Sequence, residues 1–371
     1  MTLPWAPLAS APARSCALPL RCSPPRRRRR QRLARPTTRA VFDAVDAQLE
    51  AGRHADAPFT LVEWRHHRSA ARHWAALAST PRSHVFRAAA PPAAVGTVLC
   101  AALGAYDTLR ADTWPAPPHV SLGLLSLTAG TLSLLIVFRT NSSYARFDEA
   151  RRLWGVLVNR SRDLNRSVAA GAAPASRGVA RWCAALAHCT RLLVSQDAPW
   201  TAPPAELAAL LSAQEAAALA AAQHRPLFCL QMLTQLVAAG GADAASRRSC
   251  DEDLRALEDA VGGCERLLRT PLPLSYTKLT SRFLALWLLL TPFALWNDMR
   301  WEAVLFTPLF TFLLYGLDEV AIELEEPQSI LPLRLFCDKI AAEGAGLRAA
   351  ADDVNRLVAA ELATAARADG R

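Results

Sequence analysis

No two cysteines in this chain are spaced Cys-x-x-Cys, and no histidine cluster lies near any of the nine: Cys16, Cys22, Cys100, Cys183, Cys189, Cys229, Cys250, Cys264 and Cys337. Neither a zinc site nor a dithiol redox centre is indicated, and buried free thiols of a reducing compartment are the reading. Gly-rich phosphate loops, nucleophile elbows and paired His–carboxylate spacings are also missing. That removes the common routes to phosphoryl transfer, acyl transfer and metal-assisted hydrolysis, so the chain is not read as an enzyme and no cofactor or metal is expected. Alternating strand patterns of any length are absent, which leaves an all-α fold. Acids are missing from residues 1–40, where ten Arg stand. Subtracting these ten from the formal +9 leaves −1, so the basic balance belongs to the leader and does not point to a nucleic-acid partner.

The leader is Arg-rich, contains Pro and Ala, and has no long apolar core of the secretory kind. Organelle transit peptides have this composition; a disordered basic tail or a nuclear-localisation run at Arg26–Arg30 are the alternatives. Residues 41–85 follow with His66, His67 and His73 beside Trp64 and Trp74. These histidines lack carboxylate or Cys partners at ligand spacing. The mixture of aromatic and basic residues fits an amphipathic helix at a membrane interface better than a metal site.

What the chain does have is a stretch of two opposite halves, residues 119–166. His119–Phe138 contains no charge. Its roughly 20 residues, at about 1.5 Å each, span about 30 Å, the thickness of a bilayer core. From Arg139 onward charge is dense, with Arg139, Arg146, Arg151, Arg152, Arg160, Arg162 and Arg166. Tyr144, Phe147, Leu153, Trp154, Leu157, Val158 and Leu164 keep the helical spacing going. The expectation is a membrane helix leading, with a break near Asn141, into an amphipathic helix in water.

A second uncharged run, 88–106, carries Pro91 and Pro92 in what reads as its first turn. With 119–138 it is expected to form a transmembrane hairpin, both ends on the Arg-rich inner side. Residues 167–270 read as water-soluble helices over 177–194, 204–222, 226–239 and 250–268. A turn at 270–276 precedes two short spans, 282–296 and 303–315, that form a second hairpin. Residues 346–371 are a polar helical tail. The fold class is therefore all-α: an integral membrane protein with four transmembrane helices in two hairpins plus a helical soluble domain, the core unit running over 86–345.

Three stretches carry a resemblance: FRTNSSYARFDEARRLWGVLVNRSRDL (138–164), TPLPLSYTKLTSRFLALWLLLTPFALW (270–296) and YGLDEVAIELEEPQSILPLRLFC (315–337). In this order and spacing they resemble the bestrophin family, its bacterial and plastid members above all. The resemblance implies a homopentameric anion channel. It implies that the second span lines the axial pore, with Phe138 in the inner ring of an apolar neck, Leu134 in the middle ring and Gly130 in the outer. Positions 130, 134 and 138 share one helical face. Five copies of Phe138 and Leu134 would form a constriction that gates by dewetting, and aromatic edges tolerate a partly dehydrated anion. Gly130 replaces the usual bulky apolar residue and implies a shorter or wider outer neck.

Departures accompany the resemblance. Gln328 stands where Phe follows Glu-Pro, and Phe147-Asp148 where bacterial members carry aromatics. Animal members hold calcium with consecutive aspartates; here Asp318, Glu319, Glu323, Glu325 and Glu326 are spread along a helix, so calcium gating is not expected. These acids are expected to pair with the Arg series. Arg139 and Arg146 are candidates to line the vestibule; Arg146, Arg151 and Arg152 are the better candidates for structural ion pairs. The implied function is passive conduction of chloride or other small monovalent anions across an organelle membrane, the thylakoid first, with another organelle or the plasma membrane as alternatives. A bicarbonate-conducting channel and a non-conducting membrane scaffold are the alternative functions.

Overall fold

The computed structural model describes residues 61–169, 173–195, 204–240 and 243–369. The leader at 1–40 and residues 41–60 lie outside the described residues. Every regular element among the described residues is helical: α1 (Leu61–His67), α2 (Ala71–Ser79), a 3-10 turn (Thr80–Arg82), α3 (His84–Leu109), α4 (Leu122–Ala169), α5 (Ala173–Val194), α6 (Ala205–Leu210), α7 (Ala213–Ala221), α8 (Arg225–Ala239), α9 (Ala244–Arg269), α10 (Leu274–Met299), a second 3-10 turn (Arg300–Glu302), α11 (Ala303–Glu325), α12 (Pro327–Ile330) and α13 (Leu333–Asp369).

Three stretches are long and apolar enough to cross a membrane: His84–Leu109, Leu122–Ala169 and Leu274–Glu325. The last contains α10 and α11, folded back on each other at the second 3-10 turn. Trp296 and Trp301 meet edge-on across that turn at 5.4 Å, and Arg300 takes a positive φ of 51° to make the corner. The first two spans differ from the expected hairpin. Helix α11 packs extensively on both α3 and α4, whereas α3 and α4 make no extensive contact with each other. Small residues of α3 let α11 and the end of α10 approach. A Cβ at Gly96 would lie 3.1 Å from the Thr307 methyl, and one at Gly104 would lie 2.6 Å from the Trp296 ring.

Further boundaries move. Pro91 and Pro92 lie inside α3, two turns beyond its start, because the helix begins at His84. Helix α10 begins at Leu274, so the last three residues of the expected turn at 270–276 are helix; Pro273 precedes it, where its missing N–H costs nothing. No break occurs near Asn141. Helix α4 is continuous for 48 residues, about 72 Å. The polar run around Asn141 does not interrupt it because the hydroxyls bond the helix itself: Thr140 donates to the Ile136 carbonyl at 2.9 Å and Ser142 to that of Phe138 at 2.9 Å.

The lower half of α4 enters a second body of structure, formed with α5, α8, α9 and α13. Its core surrounds Trp154, Leu157, Leu164, Trp182, Leu233 and Leu257, all buried. Trp154 stacks on Phe336 of α13 at 5.9 Å. The seven described cysteines are free and buried, six of them in this core. Helix α7 starts with a capping box, Ser212 and Glu215 exchanging bonds with each other's backbone N–H.

Candidate anion pathway

Helix α4 presents opposite surfaces in its upper half. Leu132, Ile136, Arg139 and Ser143 are buried, at 132 and 136 against Leu284 and Leu288 of α10. The other side carries Gly130, Leu134 and Phe138. Steps of four residues advance about 40° each, so these three occupy an arc of about 80°. Leu134 and Phe138 are each 54% exposed in the protomer, and Gly130 has nothing within 4 Å of where a Cβ would stand. Leu127 and Val137 extend the same exposed stripe. The three residues therefore do not fill the core of their own protomer.

Arg139 stands about 100° round the helix from Phe138 and is turned inward, only 4% exposed. Its guanidinium pairs with Asp318 of α11 and donates to the Ser281 hydroxyl of α10 at 3.1 Å. Asp318 is 6% exposed. This triangle ties α4, α10 and α11 together one residue below Phe138. It also differs from the expectation that Arg139 lines a vestibule, because its charge is spent inside the protomer. Two more bonds fix the back of α4. The Tyr276 hydroxyl donates to the Leu135 carbonyl at 3.1 Å, and Trp287 Nε1 donates to the Leu125 carbonyl at 3.3 Å. Sequence reasoning missed Tyr276, Ser281 and Trp287 as supports. The signal available was a Tyr and a Trp on a run that must bury them in hydrocarbon, where each polar atom needs a partner.

The remaining basic residues also find partners other than those expected. Arg146 donates to three backbone carbonyls, Leu267 at 2.6 Å, Thr270 at 2.7 Å and Glu325 at 3.2 Å. It thus caps the C-terminal ends of α9 and α11, where unsatisfied carbonyls and the helix dipole favour a cation. Arg146 pairs with no carboxylate of the third stretch. Arg151 and Arg152 both reach Asp148 on their own helix, at 2.7 Å each, and not the third stretch. Of the acids there, Asp318 takes Arg139, Glu319 lies 3.6 Å from His84, and Glu325 accepts from the Leu272 N–H at 3.3 Å. Glu323 and Glu326 lie on the same helix and at its C-terminal end without an Arg of α4. No group of three or more His, Cys, Asp or Glu among the described residues could hold a metal ion.

Below this junction ion pairs rim the second core. Arg162 forks onto Glu343 at 2.6 and 2.8 Å, lowering the Glu343 carboxyl below its ordinary range. Burial acts to raise Glu215, but bonds from Arg181 and Ser212 outweigh it and hold that carboxyl at about 2. His188 is buried in the core, and burial pushes its imidazole below the ordinary value.

The sequence profile described as "Bacterial/Fungal Bestrophin protein" matches residues 63–345. The chain is 31% identical over 318 residues to voltage-dependent chloride channel 1, chloroplastic, of Arabidopsis thaliana, covering 81% of this chain and 76% of that protein. It is 30% identical over 284 residues to a voltage-dependent anion channel-forming protein of Nostoc sp., covering 72% of this chain and 90% of the relative. Among solved structures it is similar to a bacterial bestrophin homolog from Klebsiella pneumoniae. The TM-score is 0.62 with 24% identity, over 69% of this chain and 97% of that one.

Proposed function

Because the chain belongs to the bestrophin family, we propose that it is an anion channel that passes chloride passively across an organelle membrane. The observation that carries this reading is the exposed apolar face of α4. Leu134 and Phe138 point away from their own protomer while Arg139 and Asp318 lock the opposite face. Five such faces around an axis would form an apolar neck, with Phe138 innermost, Leu134 next and Gly130 at the wider outer mouth. Such a neck dewets when narrow and conducts when wetted. In this reading α3, α4, α10 and α11 are the four membrane crossings, and the protein is a homopentamer.

Arabidopsis relatives named chloroplastic support a chloroplast membrane, and the acid-free, Arg-rich leader has the composition of an organelle transit peptide. Within the chloroplast our reading is the thylakoid. The test is planar-bilayer recording of purified protein whose mass in detergent is also measured. A pentamer whose reversal potential follows the chloride gradient is the expected result. A silent bilayer at all voltages would make the protein a scaffold instead, and a reversal potential tracking bicarbonate in mixed solutions would reassign the ion.

A further inference from the structure

We propose that Lys278 and Arg282 of α10 hold a permeant monovalent anion at the inner end of the neck, on the flank of the protomer that the next copy of the chain covers. The inference rests on the channel reading above and adds to it the charge that attracts the anion. The basic residues that follow the neck along α4 are engaged elsewhere. Arg139 is paired with Asp318, Arg146 with three carbonyls, Arg151 and Arg152 with Asp148, Arg160 with Asp253 and Arg162 with Glu343. Lys278 and Arg282 are exposed, and among the described residues neither charge has a partner.

Their depth follows from Ser281, whose hydroxyl accepts from Arg139 at 3.1 Å. Arg139 directly follows Phe138, so Arg282 stands at the level of the inner ring, with Lys278 one turn further inward on the same side of α10. Both lie in the stretch Leu274–Glu325 that is long and apolar enough to cross a membrane. A cation at that depth without a partner is costly, and such residues mark ion paths. Direction follows from the rest of α10. Tyr276 and Trp287 donate to carbonyls of their own α4, and Leu284 and Leu288 are buried against Leu132 and Ile136. Arg282 lies about 160° round the helix from Leu284, so it faces out of the protomer, away from its own α4. Leu279 and Leu286, 58% and 55% exposed, share that flank. In a ring of copies with the neck face of α4 turned to the axis, this flank meets the next copy, whose α4 completes the site. Asn141, exposed one turn beyond Phe138, adds an amide donor to that face. A guanidinium and an ammonium offer only donors and positive charge, which suits chloride and repels potassium.

The experiment uses the full chain, purified as an assembled oligomer, in planar bilayers of neutral and of anionic lipid. Arg282→Gln and Lys278→Gln/Arg282→Gln should lower chloride conductance about tenfold at low salt and far less at molar salt, where charge is screened. Both should move the reversal potential in a potassium chloride gradient toward zero. Arg282→Lys should behave as wild type. Arg282→Cys in the assembled channel gives a second route: a cationic thiosulfonate adduct should restore conductance and an anionic one should not. Wild-type channels, whose described cysteines are buried, should ignore both reagents. Unchanged conductance and reversal potential in assembled Arg282→Gln channels at low salt would overturn the proposal. So would a loss confined to anionic lipid, which assigns the pair to phosphate headgroups instead. A silent wild type defeats the channel reading and this inference with it; a conducting wild type with an indifferent Arg282→Gln defeats this inference alone.

Discussion

The two halves of α4 follow opposite rules. Above Thr140 the helix exposes Leu127, Leu134 and Phe138 and buries Arg139; below it, Trp154, Leu157 and Leu164 are buried while Arg151, Arg152 and Arg166 are exposed. Propensity does not distinguish the halves, since both are helix in one unbroken element. The surroundings do. In water, burying apolar surface drives packing. In hydrocarbon that drive is gone, and helices meet through small residues and internally satisfied polar groups. The upper bundle accordingly has small apolar clusters such as Cys100 with Leu295, Trp296 and Ala303, while the lower body has one extended core.

The largest effect is expected where the upper rule depends on a single contact. Asp318→Ala leaves the Arg139 charge buried and unpaired, a loss of about 3–5 kcal/mol. Size-exclusion of detergent-solubilised protein should show little assembled material, and Arg139→Met/Asp318→Leu should recover much of it. Unchanged assembly in the single variant would mean that the pair is solvated and that the upper half is less different from the lower than claimed.

Matched truncations on one helix sharpen the contrast. Leu157→Ala opens a cavity in the lower core and should cost about 2–5 kcal/mol. Leu134→Ala and Phe138→Ala lie on an exposed face and should shift stability within about 0.5 kcal/mol. In bilayers they should raise conductance or open probability by lowering the cost of wetting the neck. Thermal melts and recordings on the same variants check both statements, and a destabilised Leu134→Ala with normal current would remove it from the neck.

A smaller effect belongs to the lower body alone. His188 sits between Arg191, Glu206, Arg334 and Asp338, with its Nδ1 buried and unbonded. Its folded pKa lies below the unfolded value of 6.5, so the unfolded chain binds the proton more readily. The stability it supplies is complete above that unfolded value and is lost as pH falls toward the folded one. The wild-type melting temperature should therefore drop more steeply than that of His188→Gln between neutral pH and pH about 5; parallel curves would count against it. Smallest of all should be Arg151→Ala or Arg152→Ala, which remove exposed partners of Asp148 worth about 0–1 kcal/mol.

Much of this was legible because it depends on local chemistry. The uncharged runs at 88–106 and 119–138, the helical spacing of Trp154, Leu157 and Leu164, and the mixture of aromatic and basic residues before α3 could all be read along the chain. The bounds were less legible. Leu274 starts α10 where TPLPLSY looked like a turn, because Pro273 opens the helix as readily as it would end one. Asn141 looked like a break because Asn and Ser compete with backbone bonding, and only the geometry shows the hydroxyls of Thr140 and Ser142 turned back onto their own helix.

Sequence by itself determined an all-helical chain, the apolar stretches and the shared face of Gly130, Leu134 and Phe138, since composition and a period of 3.6 residues are properties of neighbours along the chain. Tertiary structure alone decided the partners. Arg139 took Asp318, 179 residues away; Arg146 took three carbonyls at helix ends; Arg151 and Arg152 turned to Asp148; and α11 came between α3 and α4. One guanidinium can be satisfied equally by a carboxylate or by a set of carbonyls, so its charge specifies that a partner exists. Which partner it meets depends on the crossing of helices far apart in the chain, where packing of Gly96, Gly104 and Gly316 sets the approach.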